Sequence, residues 1–151
     1  MAKFEQSFTV NCNIDDAWNF YADIRHLLVI TPADIAIKVE PIKAITEGAE
    51  FKLAGNLIRN SEWKARITYC KPYEYIDEMI GGPFKTWKHL HMFVAGNDKN
   101  NTKVIDIVEY ELPYGTLGKL ADRIYVHRKI RQIFEHRKRA TVNALEKHKE
   151  A

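Results

Sequence analysis

The chain has 151 residues, of which 46% are hydrophobic and 28% are charged, and its net charge is +3. These values are ordinary for a soluble globular protein, so we expect one domain spanning residues 1–151. No apolar run approaches the roughly 18 residues of a membrane span, and the first residues lack the apolar stretch of a signal peptide. We therefore expect a cytoplasmic protein. Cys12 and Cys70 have no metal-like spacing, and buried thiols are favoured over a disulfide or a reactive thiol.

The first forty residues predict one strand and two short helices. The strand runs from Phe4 to Val10, with its apolar side chains on one face. Asn13 is expected to cap a helix that continues through Tyr21. Asp23 is expected to cap a second helix, over residues 24–30. Together the two helices would form a V-shaped connector after the first strand.

Apolar and polar residues then alternate in six segments, which predicts six further strands. These segments are residues 35–40, 50–57, 62–69, 74–80, 84–95 and 102–112. The last two are separated by residues 96–101, a loop rich in Gly, Asn and Asp that favours a hairpin. Such alternation leaves one face of each strand apolar, so we expect an antiparallel sheet that is covered on one side.

The last third of the chain predicts a long basic amphipathic helix from Leu117 to Lys149. About 30 helical residues are about 45 Å long, so the apolar side of this helix needs the sheet as a partner. The side chains expected on that apolar side are Leu120, Ile124, Ile130, Ile133, Phe134, Ala140, Thr141 and Leu145. Arg137 lies near this stripe, where it either extends towards solvent or pairs with a buried acid.

Basic residues are concentrated in this helical segment. Residues 116–151 contain ten Lys and Arg against four Asp and Glu, a net charge of +6. Glu135 lies four residues from both Arg131 and Arg139, which suits ordinary solvated pairing. A contact with an anionic membrane or with RNA is the alternative. No aromatic residues are interleaved with the basic ones in the way a single-stranded RNA platform requires, so no nucleic acid partner is expected.

The predicted hairpin at residues 96–101 places polar side chains on one face of two strands. If Ala95 pairs with Thr102, then His91 pairs with Asp106, His89 with Val108, and Trp87 with Tyr110. Directly opposed side chains have Cβ atoms about 4.5–5.5 Å apart. A His–Asp pair at that distance orients the ring and favours its charged form.

A three-residue turn at 81–83 would add Asp77 opposite Trp87, and Tyr75 opposite His89. The same face would then hold Asp77, both histidines, Asp106 and Tyr110. This group either forms the polar wall of a ligand pocket, or satisfies itself as a structural network, or provides a histidine general base. The candidate catalytic residues are His89, His91 and Asp106. His-x-His on a strand suits a metal, but the spacing indicates no third ligand, so we expect neither a metal nor another cofactor.

Three connections rich in Gly or Pro are expected at the same end of the sheet, because every second connection of a meander lies there. They are Gly55-Asn56, Gly81-Gly82-Pro83 and residues 113–118. They form either a gated cavity entrance or plain turns. The entrance residues expected from them are Gly55, Gly82, Pro83, Phe84, Pro113, Tyr114 and Gly115.

The order of one strand, two short helices, six strands and a long helix resembles the helix-grip fold of the START-like, or SRPBCC, superfamily, an α+β fold. Within it, the chain looks most like the polyketide cyclase/dehydrase and lipid transport group, which includes coenzyme-Q-binding START-domain proteins. The resemblance covers nearly the whole chain. It is carried by residues 17–23, Thr31-Pro32, Tyr75-Ile76-Asp77, Gly82-Pro83-Phe84, residues 87–93, 106–110, 112–115 and 133–137.

This resemblance implies a hydrophobic cavity between the sheet and the long helix. The expected function is binding or transport of a small hydrophobic or aromatic molecule, such as a lipid, a quinone or a polyketide. The alternative is a cyclase or dehydratase that uses a cavity histidine as general base. The expected ligand-binding residues are Trp63, Tyr69, Asp77, Trp87, His89, His91, Phe93, Asp106, Tyr110, Phe134 and Arg137. A peripheral membrane or protein contact through the basic helix is a further expectation.

Overall fold

A seven-stranded antiparallel sheet curls around a long C-terminal helix, in a computed structural model that describes residues 1–40 and 42–147. The strand order is β1-β7-β6-β5-β4-β3-β2. The strands are β1 (Ala2–Val10), β2 (Lys38–Val39), β3 (Glu50–Asn56), β4 (Asn60–Lys71), β5 (Glu74–Gly81), β6 (Thr86–Ala95) and β7 (Thr102–Glu111). This is the α+β helix-grip architecture that the sequence predicts.

Two short helices follow β1, as expected: α1 (Ile14–Ala22), then a 3-10 turn (Ile24–His26) that leads into α2 (Leu27–Ile30). Both predicted caps are confirmed. The side chain of Asn13 accepts a hydrogen bond from the backbone N–H of Asp16 at 2.9 Å. The side chain of Asp23 accepts one from the backbone N–H of Arg25 at 3.1 Å. These acceptors satisfy backbone donors that have no partner inside their own helix.

The strand predicted at residues 35–40 is largely wrong. Ala33–Ile35 form a 3-10 turn, and Ala36 takes a left-handed conformation with φ of 49°. A left-handed residue interrupts the extended backbone, so only Lys38 and Val39 pair with β3. The side chains of Ile35 and Ile37 nevertheless point inwards, where they line the cavity described below.

The hairpin of β6 and β7 has the predicted register, with His91 opposite Asp106 and Trp87 opposite Tyr110. The predicted register of β5 and β6 is wrong by two residues. Asp77 pairs with His89, not with Trp87, and Tyr75 therefore pairs with His91. The turn is longer than three residues, since the last pair before it is Glu78 with Lys88. A shift of two keeps every side chain on its predicted face.

The alternation of side chains between the two faces of the sheet also fails at one point of β4. The register with β5 shifts between Ile67, which pairs with Asp77, and Tyr69, which pairs with Ile76. The extra residue in β4 is a β-bulge, and it reverses the faces that follow it. Tyr69 therefore lies on the opposite face from Asp77, away from the helix, and it is not a cavity residue as predicted.

The C-terminal helix begins at Gly115, two residues before the predicted start. It consists of α3 (Gly115–Ala121), a π-helical turn (Asp122–Val126) and α4 (His127–Lys147). The predicted end at Lys149 lies outside the described residues. No helix among the described residues is both long and apolar enough to cross a bilayer.

The apolar stripe predicted on this helix is correct only within α4. Ile130, Phe134, Thr141 and Leu145 are buried. Leu120 and Ile124 were expected on the same face but are 56% and 68% exposed. The π turn between the two parts accounts for the difference, because its extra residue breaks the helical spacing on which the prediction relied.

The core of the described residues consists of two clusters. The larger packs α1 and α2 against the middle of the sheet, and the smaller packs the start of α4 against Phe4, Phe84, Val108 and Tyr110. Cys12 lies buried in the larger cluster, and Cys70 at its edge is half-buried. The two clusters do not merge, and residues of both line one cavity.

Candidate functional site

A cavity of about 130 Å³ lies between the short helices, the inner face of the sheet and α4. This volume is well above the roughly 10–15 Å³ that one buried water needs. Seven of the predicted ligand-binding residues line it: Trp63, Asp77, Trp87, His89, His91, Phe134 and Arg137. The predicted residues therefore converge on one space, although their contact with a ligand stays a prediction.

Three other predicted ligand-binding residues lie on the correct side of the sheet but behind the cavity wall. Phe93 packs against Trp18 and Tyr21, with ring centroids 5.8 and 5.0 Å away. Asp106 is fully buried beneath the two histidines. Tyr110 is fully buried and its hydroxyl donates to Asp122 in the π turn at 2.5 Å. These three residues support the wall and do not line the cavity.

The sequence did not indicate how much the connector helices contribute to the cavity. Their side chains form one wall, with Phe20, Tyr21, Ile24, Leu27 and Ile30 as lining residues. Capping signals fix where such short helices begin, but helices of so few turns give no periodic pattern from which an inward face can be read. The order of elements was the only available signal, because helices between β1 and β2 must cover the open side of a curled sheet.

Three adjacent strands bring the polar side chains together. Asp77 on β5 pairs with His89 on β6, and His91 on β6 pairs with Asp106 on β7. The hydrogen bonds do not follow these strand pairs, because each histidine bonds to the carboxylate that is paired with the other histidine. His91 Nε2 lies 2.7 Å from Asp77 Oδ2, and His89 Nε2 lies 2.8 Å from Asp106 Oδ1. The ring centroids of the two histidines are 3.6 Å apart, so the four side chains form one compact polar group.

Arg137 completes this group from the helix side. Only 7% of the residue is exposed, so it takes the buried position, which was one of its two predicted alternatives. One terminal nitrogen lies 3.8 Å from Asp106 Oδ1 and donates to His91 Nδ1 at 3.4 Å. The guanidinium also lies over the rings of Tyr21 and Phe134, at 5.1 and 5.5 Å. Arg137 Nε and Asp106 Oδ2 have no hydrogen-bond partner among the described residues.

Burial and charge set the protonation of this group. Burial raises the pKa of Asp77 above its ordinary value. Burial, together with the neighbouring His89 and Arg137, holds the pKa of His91 well below its ordinary value. Burial would also raise the pKa of Asp106, but the charge of Arg137 and the bond from His89 outweigh it and lower that pKa to about 2. Near neutral pH, His91 is therefore uncharged and Asp106 is an anion.

The protonation of the rings follows from these partners. Because Asp106 is ionised, Nε2 of His89 carries the proton and donates to it. Nδ1 of His89 faces Asp77 Oδ2 at 4.0 Å. His91 receives the hydrogen bond of Arg137 on Nδ1, so its Nε2–H is the donor to Asp77. Both imidazoles thus have one nitrogen towards Asp77 and the other towards Asp106.

The three Gly- and Pro-rich connections lie at one end of the sheet, as expected from the meander. Lys85, in the second connection, donates its backbone N–H to Glu111 O, next to the third. Phe84 is buried among Trp63, Trp87 and Tyr110, where it fills this end of the fold. None of the predicted entrance residues belongs to the described cavity lining, so their role as an entrance stays a prediction.

Packing accounts for at least one of the glycines in these connections. A Cβ on Gly82 would lie 2.5 Å from Cβ of Trp63 and 2.6 Å from Sδ of Met79. Gly82 also has φ of 157°, a positive value that residues with a side chain rarely adopt. Close approach to β4 and β5 is therefore a sufficient reason for glycine at this position.

No protein-family model matches the sequence, and no curated protein matches it either. Solved structures do match. TTHA0849 from Thermus thermophilus has a TM-score of 0.75 at 12% identity, covering 97% of this chain and 99% of its own. A START superfamily protein from Mycobacterium smegmatis has a TM-score of 0.72 at 10% identity, covering 96% and 97%. Norcoclaurine synthase from Thalictrum flavum has a TM-score of 0.71 at 17% identity, covering 98% and 96%.

These likenesses establish the fold, which is the START-like, or SRPBCC-like, helix-grip fold that the order of elements predicts. At 10–17% identity they carry no activity or ligand over to this chain.

Proposed function

We propose that this protein binds a small, mostly apolar molecule whose one polar end meets the Asp77–His89–His91–Arg137 wall of the cavity. The observation that supports this function is the uneven distribution of polarity around one cavity. Aromatic and aliphatic side chains such as Trp63, Leu53 and Ile130 line most of the cavity, and the charged and imidazole groups occupy one side. Ligand sites commonly combine an apolar lining with a few convergent polar groups.

The polar wall suits an oxygen-bearing end such as a hydroxyl, a carbonyl or a phenol. Arg137 and the ring nitrogens of the histidines supply donors, and Asp77 supplies an acceptor. Arg137 Nε has no hydrogen-bond partner among the described residues, so the group retains donor capacity for a ligand oxygen. Lipids, quinones and polyketides all combine such an oxygen with a larger apolar body.

Native mass spectrometry of the protein purified from its own host tests this function, followed by extraction of whatever adds mass. A matched pair of substitutions then locates the site. Leu57→Trp narrows the cavity that Leu57 lines, whereas Leu28→Trp makes the same change at an exposed position outside the lining. We expect Leu57→Trp to weaken binding of the extracted molecule at least tenfold and Leu28→Trp to leave it unchanged. Equal effects of the two substitutions would refute binding in this cavity.

A second candidate is an enzyme that uses a cavity histidine as general base, as in a polyketide cyclase or dehydratase. It is favoured by the uncharged His91, which lines the cavity beside His89. Ring closure after enolisation needs a positioned base and a pocket that folds the substrate. The solved norcoclaurine synthase, an enzyme with this fold, is described in complex with dopamine and hydroxybenzaldehyde. Unchanged turnover of an identified substrate by His89→Ala and His91→Ala would refute this mechanism.

The basic helix supports a proposal about where the protein acts. Its first turns expose Leu117, Leu120 and Ile124, at 73%, 56% and 68%. Exposed basic residues, including Lys119 and Arg123, flank these apolar side chains. An apolar strip with flanking cations fits the surface of an anionic bilayer, where each basic residue contributes about 1 kcal/mol. We propose that α3 and the π turn dock on such a surface.

Co-sedimentation with vesicles of phosphatidylcholine, with and without phosphatidylserine, tests this contact. We expect binding only to the anionic vesicles, a decrease with added salt, and a loss in Ile124→Glu. Val94→Glu is the matched control, because Val94 is also exposed but lies on the outer face of β6. Binding that is equal for both variants, or insensitive to salt, would refute the membrane proposal.

A further inference from the structure

Asp77, His89 and His91 converge as a potential metal-ligand set that the sequence spacing did not indicate. Each of the three side chains offers one ligand atom within 4.8 Å of the others. Oδ2 of Asp77 is the common neighbour, 2.7 Å from Nε2 of His91 and 4.0 Å from Nδ1 of His89. Ligand atoms around a tetrahedral zinc ion are about 3.3–3.6 Å apart, as follows from bond lengths of about 2.0–2.2 Å. One of the two distances from Asp77 is shorter than this range and the other is longer.

We propose that Asp77, His89 and His91 bind one divalent first-row transition metal ion, with zinc or iron(II) as the chemical class. Two imidazoles and one carboxylate are the protein ligands of many catalytic zinc and non-haem iron(II) sites. Such sites leave coordination positions open for water or substrate. Here the three ligands lie on the cavity wall, so the open positions face the space in which the proposed ligand binds.

The residues behind the histidines match the outer shell of a metal site. A metal-bound histidine commonly donates its other ring nitrogen to a carboxylate, which fixes the orientation of the ring. Asp106 Oδ1 lies 2.8 Å from Nε2 of His89 and 3.6 Å from Nδ1 of His91, the two nitrogens that point away from Asp77. One buried carboxylate thus lies behind both imidazoles.

Binding requires a change at His91 that this outer shell accommodates. The metal takes the place of the proton on Nε2 of His91. The neutral ring then carries its one proton on Nδ1 and donates it to Asp106. Arg137, which donates to Nδ1 of His91 in the metal-free protein, then turns towards Asp106 or towards a ligand oxygen.

The charges of the surrounding groups are compatible with a bound dication. Asp77 and Asp106 supply two negative charges, and Arg137 supplies one positive charge. A bound dication brings the total to one positive charge, which favours an anionic oxygen on an open position, such as hydroxide, an enolate or a phenolate. This proposal does not depend on the function proposed above, because metal binding is measured without any organic ligand.

The test begins with the protein stripped of metal by a chelator and then titrated with Zn²⁺ and with Co²⁺. We expect one ion per chain by calorimetry and by metal analysis after dialysis. We also expect the visible absorption of Co²⁺ to change on binding. Binding should also raise the melting temperature, because the ion binds the folded state. If the native protein binds no metal at one equivalent, the proposal is overturned whatever the variants do.

Substitutions assign the ion to these residues. Asp77→Asn and His89→Gln should each weaken Zn²⁺ binding by at least about 100-fold, and Asp106→Asn by about 10–100-fold. His136→Gln, a histidine of α4 outside the cavity lining, is the matched control and should bind as the native chain does. Melting curves of the metal-free variants show whether each is folded. Stoichiometric binding that survives in folded Asp77→Asn and His89→Gln would place the metal elsewhere and overturn the proposal.

Discussion

Replacing Arg137 by methionine should remove several kcal/mol of folding free energy, because it takes away the positive charge beside a buried carboxylate. Asp106 is 0% exposed and Arg137 is 7% exposed, so bulk solvent screens their attraction little. Breaking one member of a buried ion pair costs about 3–5 kcal/mol. Methionine keeps most of the length and apolar volume of the side chain, so the loss reports mainly on charge. For a urea m-value of about 2 kcal/mol/M, the midpoint should fall by about 1.5–2.5 M.

The assay is equilibrium unfolding in urea of four proteins: the native chain, Arg137→Met, Asp106→Asn and the double variant. The double variant should recover part of the loss, since it leaves neither charge isolated. Arg131→Met is the matched control, because Arg131 is exposed on the same helix, and its midpoint should change little. A loss below about 1 kcal/mol in Arg137→Met, with no coupling to Asp106→Asn, would show that the buried pair does not stabilise the fold.

Three smaller predictions concern the frame of the site. Asp23→Ala should cost about 1 kcal/mol near neutral pH, because Asp23 accepts hydrogen bonds from the Arg25 side chain and, as a cap, from the Arg25 backbone N–H. The Arg25 side chain, followed by the cap bond, lowers the folded pKa of Asp23 from 3.8 to about 2, so this cost is full above pH 3.8 and shrinks towards pH 2. Urea unfolding of the native chain and the variant at several pH values measures this difference in stability, and a difference that does not change with pH would contradict the prediction. Gly118→Ala should lower the melting temperature, because the added Cβ would overlap the carbonyl oxygen of Pro113. An unchanged melting temperature would show that the backbone at the start of α3 shifts without cost to make room for the methyl group. Tyr110→Phe should lower the free energy of unfolding by about 1–3 kcal/mol, because it leaves Asp122 without its 2.5 Å donor. Calorimetry measures this loss of stability. An unchanged stability would mean that water replaces the hydroxyl as donor.

The register between neighbouring strands was predictable where the residues of the connecting turn define the length of that turn. The loop at residues 96–101 has a composition that fixes both of its ends, so the pairing of His91 with Asp106 followed correctly. Gly81 at the end of β5 and Gly82-Pro83 after it mark a turn but not its length, and the predicted register failed there by two residues. Because side chains alternate with a period of two, this error left Asp77 on the same face as the histidines.

Single extra residues within a strand or a helix had a larger consequence than the two-residue register shift, because they change the face on which the following side chains lie. The bulge before Tyr69 reverses the face of the end of β4, and the π turn at 122–126 separates the exposed face of α3 from the apolar stripe of α4. Neither feature has a signal in a single sequence, since each arises from how a segment packs against its neighbours. Predictions that relied on uninterrupted periodicity therefore failed at Tyr69, Leu120 and Ile124.

The sequence predicted that these polar side chains lie together, but their hydrogen-bond partners and distances are seen only in the structure. The sequence places His89 and His91 on one strand face and allows Asp106 to meet them. It does not show that Asp77 reaches the opposite sides of the same rings, at 2.7 and 4.0 Å. Two imidazoles between two carboxylates, with one carboxylate on the cavity wall and the other buried beside Arg137, have a defined front and back. The front of the group is the side that the proposed ligand and the proposed metal ion would meet.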